Sequence, residues 1–523
     1  MSASRGGAVL VCGAGPTGLT TAIELARRGI EVEIVDGALE PTTLSKAAAV
    51  WRRTLEVLHG AVPTEAFIRP GRVLRGIRLE TGNELLREVE FPEASRVFPH
   101  GLLLPQCDTE RILATRLEEL GISVRRGHRL RSLETDAGGV DVVLETEGGT
   151  DVHRYQWLIG ADGAHSVVRH QLGIDFPGES IDRRWLLADF EWSDGGPDDK
   201  MRAILAGEGM MALFPYGGGR WRLVADGGPV EPGTPRRDPD RAEIEDLLSR
   251  RTGRTWAVGP MHWLSDFRVS ERQVARYRHG RVLLAGDAAH VHSPAGGQGM
   301  NTSIQDAVNL GWKLAMVIRG IAAESLLDTY DAERHPVAAA VLRDSGRMLR
   351  FAMNRGRLMR VAKRRILPTL LGFGAVQRHA IRSLSEVGVN YRHGPLAGID
   401  HDRWIGRRCP DVPFGDAETV YDLLRDPRLC ILELGRTIDG DPSGLEDRSV
   451  WRGLDPQWHR IVRPDGSIGA EAADLAKALH VDRPGLVVIR PDGYLGPVGA
   501  TIDRVTEWVA DLRSLETGTA RDQ

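Results

Sequence analysis

The sequence predicts an α/β protein. It should hold a Rossmann-like, dinucleotide-binding sheet, a mainly β second domain and a smaller mixed unit at the C terminus. Three observations lead there. An apolar run at 8–12 leads directly into Gly13-Ala14-Gly15-Pro16-Thr17-Gly18 and a helical apolar pattern over 19–28. Two more short apolar runs, at 155–159 and 282–285, each end in a Gly/Asp turn. Between those two, segments such as 211–215 and 221–225 alternate, the period of strands with one buried face. A chain of 523 residues exceeds one ordinary core, so two or three domains are expected.

The first element reads as strand, G-x-G-x-x-G, helix, strand, acid. Gly13 makes the tight turn, Gly15 lets a pyrophosphate approach the backbone, and Gly18 lets the helix pack on the strand. Pro16 and Thr17 lie inside the same turn. A second strand at 31–35 ends in Asp36, 18 residues after Gly18, where a carboxylate would bind a ribose hydroxyl. An acid there argues against a 2′-phosphate. The motif alone does not separate FAD from NAD.

The second element runs through Trp157-Leu158-Ile159 into Asp162-Gly163 and a helix start. The third runs through Val282-Leu283-Leu284-Ala285 into Gly286-Asp287. This run is short and wholly apolar, as in a strand buried on both faces. Asp287 then stands at a strand end, where its carboxylate can accept hydrogen bonds from ligand hydroxyls. Pro294, Gly296, Gly297, Gly299, Met300 and Asn301 follow, opening a helix whose free N–H groups face the ligand. Three such elements far apart in sequence suit one long ligand that touches several strands.

Together these residues resemble the class A flavoprotein aromatic hydroxylases, the p-hydroxybenzoate hydroxylase-like family. Two further marks of that family are present. Ser45-Lys46-Ala47 with Arg52-Arg53-Thr54-Leu55-Glu56 resembles the segment that passes over FAD. Leu104-Pro105-Gln106-Cys107-Asp108-Thr109-Glu110 resembles the segment whose glutamine contacts the cofactor. The resemblance covers residues 8–395. Lys46 stands where many relatives have Arg; it keeps the charge and loses the planar fork.

The resemblance implies tightly bound FAD, with NADPH or NADH and O₂ as transient co-substrates. It implies cofactor contacts from Gly13, Gly15, Pro16, Thr17, Gly18, Asp36, Lys46, Arg53, Gln106, Asp162, Gly163, Gly286 and Asp287. Pro294, Gly297, Gly299, Met300 and Asn301 would border the isoalloxazine, with N–H groups of 297–301 polarising its carbonyl end. The implied chemistry is hydride transfer to FAD, O₂ uptake as a C4a-hydroperoxide, and transfer of one oxygen to an electron-rich ring. The flavin carries that chemistry while the protein orients it and excludes water. His292 and Pro294 are the catalytic candidates, His292 as a base toward a substrate hydroxyl, with a structural histidine as the alternative reading. His290 reads as structural. Phe214, Pro215, Trp221 and Trp185 are candidates for a substrate pocket. No metal cluster, Ser/His/Asp triad or second G-x-G-x-x-G stands out, so no metal and no separate NAD(P)H domain are expected.

The expected FAD-binding domain comprises 1–175 and 270–395, less an insertion at 66–99. That insertion joins 176–269 in a β-sheet substrate domain. Residues 406–411 read as a linker. The tail, 396–523, shows a helix near 418–425, strands at 430–434 and 460–463, and a helix at 470–480. A hairpin about Pro491-Asp492-Gly493 and a helix at 502–513 complete it. This order resembles the thioredoxin-like C-terminal domain of phenol and polyketide hydroxylases. Without C-x-x-C it cannot do dithiol chemistry, which leaves a structural or dimer-supporting role. Cys409 and Cys430 should be dispensable.

A net charge of −4 gives no electrostatic case for nucleic acid. No run of 18 apolar residues predicts a membrane span. Four cysteines without a C-x-x-C pair suit a reducing compartment. The N terminus runs straight into the first strand, so a cleaved signal peptide would destroy the site and a cytoplasmic protein is expected. Arginines crowd 340–366, read as the solvated face of a connecting helix rather than a membrane-surface helix. The function expected is hydroxylation of a polycyclic aromatic, polyketide-like product. The alternatives are Baeyer–Villiger or ring-opening oxygenation, inactivation of an antibiotic such as a rifamycin or tetracycline, and a non-catalytic flavin-binding partner.

Overall fold

The computed structural model describes residues 4–5, 7–92, 95, 97–192, 199–206, 209–231, 233–354, 356–397, 403–437 and 450–515. Its first sheet has the order Arg278–His279, Val282–Leu284, Trp157–Gly160, Val9–Cys12, Val32–Asp36, Arg125–Arg126. From Val282–Leu284 across to Arg125–Arg126 the strands run parallel. Val9–Cys12, Trp157–Gly160 and Val282–Leu284 are buried at every residue, which explains their unbroken apolar sequences. Helices Pro16–Ala26 and Gly299–Ile318 pack against each other beside this sheet.

An eight-stranded sheet stands against it. Its order is His290–Val291, Met261–Gln273, Gly178–Glu191, Arg220–Pro229, Gly209–Gly217, Lys200–Ala206, Gly76–Thr81, Glu84–Glu90. Helix Arg241–Thr252 covers one face. The Asp240 side chain caps its start, and Gly253 ends it in the left-handed region. Trp192, Trp221, Trp256 and Leu248 fill the space beneath. The opposite face meets the first sheet's loops through Phe214 and Tyr216 against Trp51, and Trp185 against Ala295.

Helix Asp328–Met353 follows the connecting path expected for the arginine-rich stretch. Its side chains Arg347 and Arg350 are exposed. The tail forms a mixed sheet, Gln457–Ile461, Cys430–Leu434, Gly485–Ile489, Leu495–Ala500, whose first pair is parallel and whose others are antiparallel. Helices Ala473–Leu479 and Ile502–Ser514 accompany it. The segment expected as a helix near 418–425 is a 3₁₀ turn, Val420–Arg425, closed by a Thr419/Asp422 capping box. All four cysteines are free, and burial pushes the Cys409 thiol up to about 12.

The expected linker is no free tether. Arg408 forks onto Glu56 with two 2.6 Å hydrogen bonds, and Arg52 reaches Asp411 at 2.6 Å. Deeper in the seam, Arg490 donates to Glu333 at 2.7 and 2.8 Å and to Asp492 at 2.6 Å. Lys313 also donates to Glu333, and Asn309 and Trp312 donate to Asp492. Burial opposes the Glu333 charge, but Arg490 and Lys313 outweigh it and hold the carboxyl at about 2. No helix among the described residues is long and apolar enough to cross a membrane.

Candidate active site

Three predicted turns meet because three strands stop in register. Cys12 pairs with Gly160 and Val35, and Gly160 pairs with Leu284. The next N–H groups continue the pattern: Gly13 to Val35 O at 2.8 Å, Ala161 to Cys12 O at 2.8 Å, Ala285 to Gly160 O at 3.0 Å. Gly13, Asp162 and Gly286 therefore open onto one crevice at the carboxyl edge of the sheet, the usual ligand position of such folds.

The crevice is shaped for a backbone-hugging ligand. Gly13 has φ +101°, and a Cβ there would lie 2.3 Å from Ala161 O. Gly15 faces open space, with nothing within 4 Å of where a Cβ would stand. Gly15 also caps helix Pro16–Ala26 without a side-chain bond, which leaves N–H groups for a phosphate. Gly286 has φ +60°, and a Cβ there would come within 2.5 Å of Thr17 Oγ1 and 3.0 Å of Ser303 Oγ. The Ser303 hydroxyl and Asp162 Oδ1 are buried without a partner. Orphaned polar atoms around a cleft that excludes Cβ atoms fit a polyphosphate or polyol chain.

Asp36 accepts from Ala14 N at 2.7 Å and Ala38 N at 2.8 Å, with Arg126 at 3.7 Å. Asp162 spends Oδ2 on Val167 N and Val168 N, capping the short helix behind it. Gly163 turns with φ +81°. Arg169 ties this turn to the next, donating to Ala164 O and Ala288 O. Asp287 is exposed in the turn Gly286–Ala288, and its carboxylate has no hydrogen-bond or ion-pair partner among the described residues. Gln106 accepts from Ala47 N at 3.1 Å while its own N–H donates to Ser45 Oγ at 2.5 Å, so the two predicted segments form one wall. Lys46 is exposed above it.

The loop 294–301 is held from behind. Trp51 Nε1 donates to Gly296 O and Gly297 O, at 3.0 and 3.2 Å. Asn301 accepts from Trp51 N and donates to Ala49 O and Gly297 O. Its side-chain amide thus serves the protein backbone, which leaves the main-chain N–H as the contact expected at this turn. Helix Gly299–Ile318 begins without a side-chain cap, so its first N–H groups remain available beside Met300. Pro294 stands at the start of the loop, and its carbonyl accepts from Gly297 N.

His290 is structural: it meets Asp306 at 2.6 Å, and Arg334 grips the other oxygen at 2.7 Å. His292 Nδ1 lies 2.9 Å from Ser293 O, which can only accept, so Nδ1 carries the proton. Nε2 is left a buried, unpartnered acceptor against Gly299. Burial lowers its pKa, and the ring is neutral.

Arg53 departs from expectation. Its guanidinium is fully buried and donates to Glu56, Tyr421 Oη and Asp492 O, 4.3 Å over the Tyr494 ring. It serves the tail instead of a cofactor. The pocket set also divides. Phe214 and Trp185 lie on the face toward the loop, whereas Trp221 packs under helix Arg241–Thr252. Pro215 pairs with Trp221 across the strands and shares its face, so neither lines the cleft.

Arg222 escaped notice in the sequence. Alternation turns it away from Trp221, and it forks onto Asp189 at 2.7 and 2.6 Å while reaching Ser45 Oγ and Ala47 O. An arginine inside an apolar strand was the available signal. Arg222→Met should cost about 1.5–3 kcal/mol, the worth of hydrogen bonds to charged groups, and raise the FAD dissociation constant. Thermal unfolding and flavin titration check this; unchanged FAD affinity would remove 45–47 from the cofactor wall.

Glu386 lies behind the loop, accepting from Thr302 at 2.9 Å and Gln305 at 2.6 Å. Burial raises its carboxyl to about 7, above the ordinary 4.5. The folded state therefore holds the proton longer than the unfolded chain. Its contribution is complete below pH 4.5 and is lost as pH rises through about 7. Wild type should lose up to about 3 kcal/mol relative to Glu386→Gln across that window. Parallel thermal melts of the two proteins from acid to neutral pH test it; parallel curves would refute it.

Among the described residues no group of three His, Cys, Asp or Glu is placed to hold a metal ion. Residues 7–345 match the family model described as FAD binding domain. The chain is 34% identical to 6-methylpretetramide 4-monooxygenase of Streptomyces rimosus, covering 94% of this chain and 90% of that protein. It is also 34% identical to a rifampicin monooxygenase of Streptomyces venezuelae, covering 88% and 94%. The solved structure of OxyS anhydrotetracycline hydroxylase from Streptomyces rimosus superposes with a TM-score of 0.76 at 32% identity, covering 96% and 97%.

Proposed function

The chain belongs to the FAD-binding domain family and is a flavin-dependent monooxygenase, and on that premise we propose that it hydroxylates a polycyclic aromatic, polyketide-like molecule. NADPH or NADH is the proposed reductant. FAD, when bound, supplies hydride acceptance and the activation of O₂.

The protein's part divides among the residues described. Gly15 and the open N terminus of Pro16–Ala26 receive the pyrophosphate. Asp36 and Arg126 border the adenosine end. Asp287 accepts from the ribityl hydroxyls. The uncapped N–H groups at 299–301 favour negative charge on the pyrimidine end of the ring. His292, neutral, supports the loop at Gly299.

The observation that carries the substrate class is the apolar wall facing the loop. Trp185, Phe267, Met210 and Phe214 line that side, with buried donors left unpartnered at Trp185 Nε1 and Tyr216 Oη. A fused aromatic skeleton with ketone or phenol oxygens suits flat apolar surfaces and isolated donors. The relatives named for 6-methylpretetramide and anhydrotetracycline support the same reading. The relative named rifampicin monooxygenase lends weaker support to the second reading, oxygenation of an antibiotic. The test is anaerobic reduction of the purified yellow protein by NADPH, with and without a polycyclic phenol, followed by aerobic product analysis. Faster bleaching with the phenol and a product one oxygen heavier are expected. Bleaching without any oxygenated product would refute the proposal, and product connectivity separates hydroxylation from ring insertion.

A further inference from the structure

The segment after the long helix carries charge and apolar surface that the proposed reaction does not use. Residues 354–384 hold eight Arg or Lys and no acid, in a chain whose net charge is −4. Helix Arg357–Val361, the wide turn Ala362–Ile366, helix Leu367–Leu370 and helix Gly374–Leu384 form a rim on the molecule. Along it Leu358, Val361, Ile366, Leu370, Phe373 and Val376 are exposed, Leu358 by 88% and Phe373 by 59%. The five-residue step from Val361 to Ile366 coincides with the wide turn, which absorbs one extra residue and keeps the stripe continuous. Exposed Arg365, Arg378 and Arg382 have no ion-pair partner among the described residues. Among the described side chains of the rim, Lys363 turns inward, donating to Asn354 O at 2.8 Å and tying the rim to the long helix. At its far end Leu384 packs on the Ala49, Trp51, Leu74 and Leu103 cluster that Phe214 also packs on, and Gln298 donates to Ser383 O. The rim therefore borders the same wall as the proposed substrate site.

We propose that this rim docks the enzyme on an anionic lipid surface, lying in the headgroup plane without spanning the membrane. Basic residues beside protruding leucine, isoleucine and phenylalanine are the composition of an interfacial helix. A second copy is a poor occupant, since it would set one strongly basic face against another. An acidic protein would need holes matching isolated, convex side chains, whereas a fluid headgroup layer accepts them without prior shape.

The test is cosedimentation of the FAD-loaded enzyme with phosphatidylcholine vesicles, with and without phosphatidylglycerol. Binding to the anionic vesicles alone is expected, weakened by salt. The double variant Leu358→Glu/Phe373→Glu should bind on the order of tenfold less while keeping its flavin spectrum, because both side chains are exposed. No binding to phosphatidylglycerol vesicles overturns the proposal. So does a double variant that binds like wild type, which would make the attraction purely ionic. Retention on an acidic amphipathic peptide without vesicle binding would assign the rim to a protein partner. A dimer that the double variant dissolves would assign it to a second copy.

Discussion

Asp287→Ala should purify colourless, or with FAD weakened about 10- to 100-fold. The carboxylate is exposed at the end of a buried strand, with no partner among the described residues to release when the ligand binds. Hydrogen bonds to a charged group contribute about 1.5–3 kcal/mol each, and one or two of them account for that range. The turn itself should survive, because Asp306 holds it independently through Gly286 N and His290. Fold and flavin loss therefore separate: circular dichroism stays native while the visible spectrum disappears. A fully yellow mutant would remove Asp287 from the ribityl site. Asp287→Asn should retain part of the flavin, since an amide oxygen still accepts.

Arg490→Met should be the most destabilising single change in the tail. Arg490 is 1% exposed and bridges Glu333 and Asp492, themselves 0% and 2% exposed. Removing one partner of a buried ion pair costs about 3–5 kcal/mol, because the remaining charges stay desolvated. Lys313 continues to pair with Glu333, which favours the lower end. Thermal melting should fall by several degrees, and adding Glu333→Gln should recover part of the loss. A mutant that melts like wild type would mean that the seam carries little stability.

The nucleotide crevice was legible because its requirements are local. A strand that must be followed by a left-handed turn and a close backbone approach leaves few residue choices, and Gly13, Gly15 and Gly286 record them. The division of the aromatic residues was not legible. Trp221 and Arg222 are neighbours with opposite destinations, and strand periodicity gives two faces without saying which one looks toward the loop. Arg53 shows a different limit. Its i,i+3 partner Glu56 is visible in the sequence, but Tyr421 and Asp492 come from hundreds of residues away. Asn301 was placed at the right turn, while its amide proved to be occupied by backbone that no pattern predicts.

The seam between Arg53, Glu56 and Arg408 has a consequence for engineering. Recombining tails among related enzymes treats the C-terminal unit as an interchangeable cartridge. Here its socket is cut into three helices, Arg52–Leu58, Gly299–Ile318 and Asp328–Met353, the second of which follows directly on the loop 294–301. A graft that moves 403–515 without Arg53, Glu56, Asn309, Trp312, Lys313 and Glu333 would leave unmatched charges in a dry joint. Successful chimeras should therefore inherit those six positions from the donor of the tail.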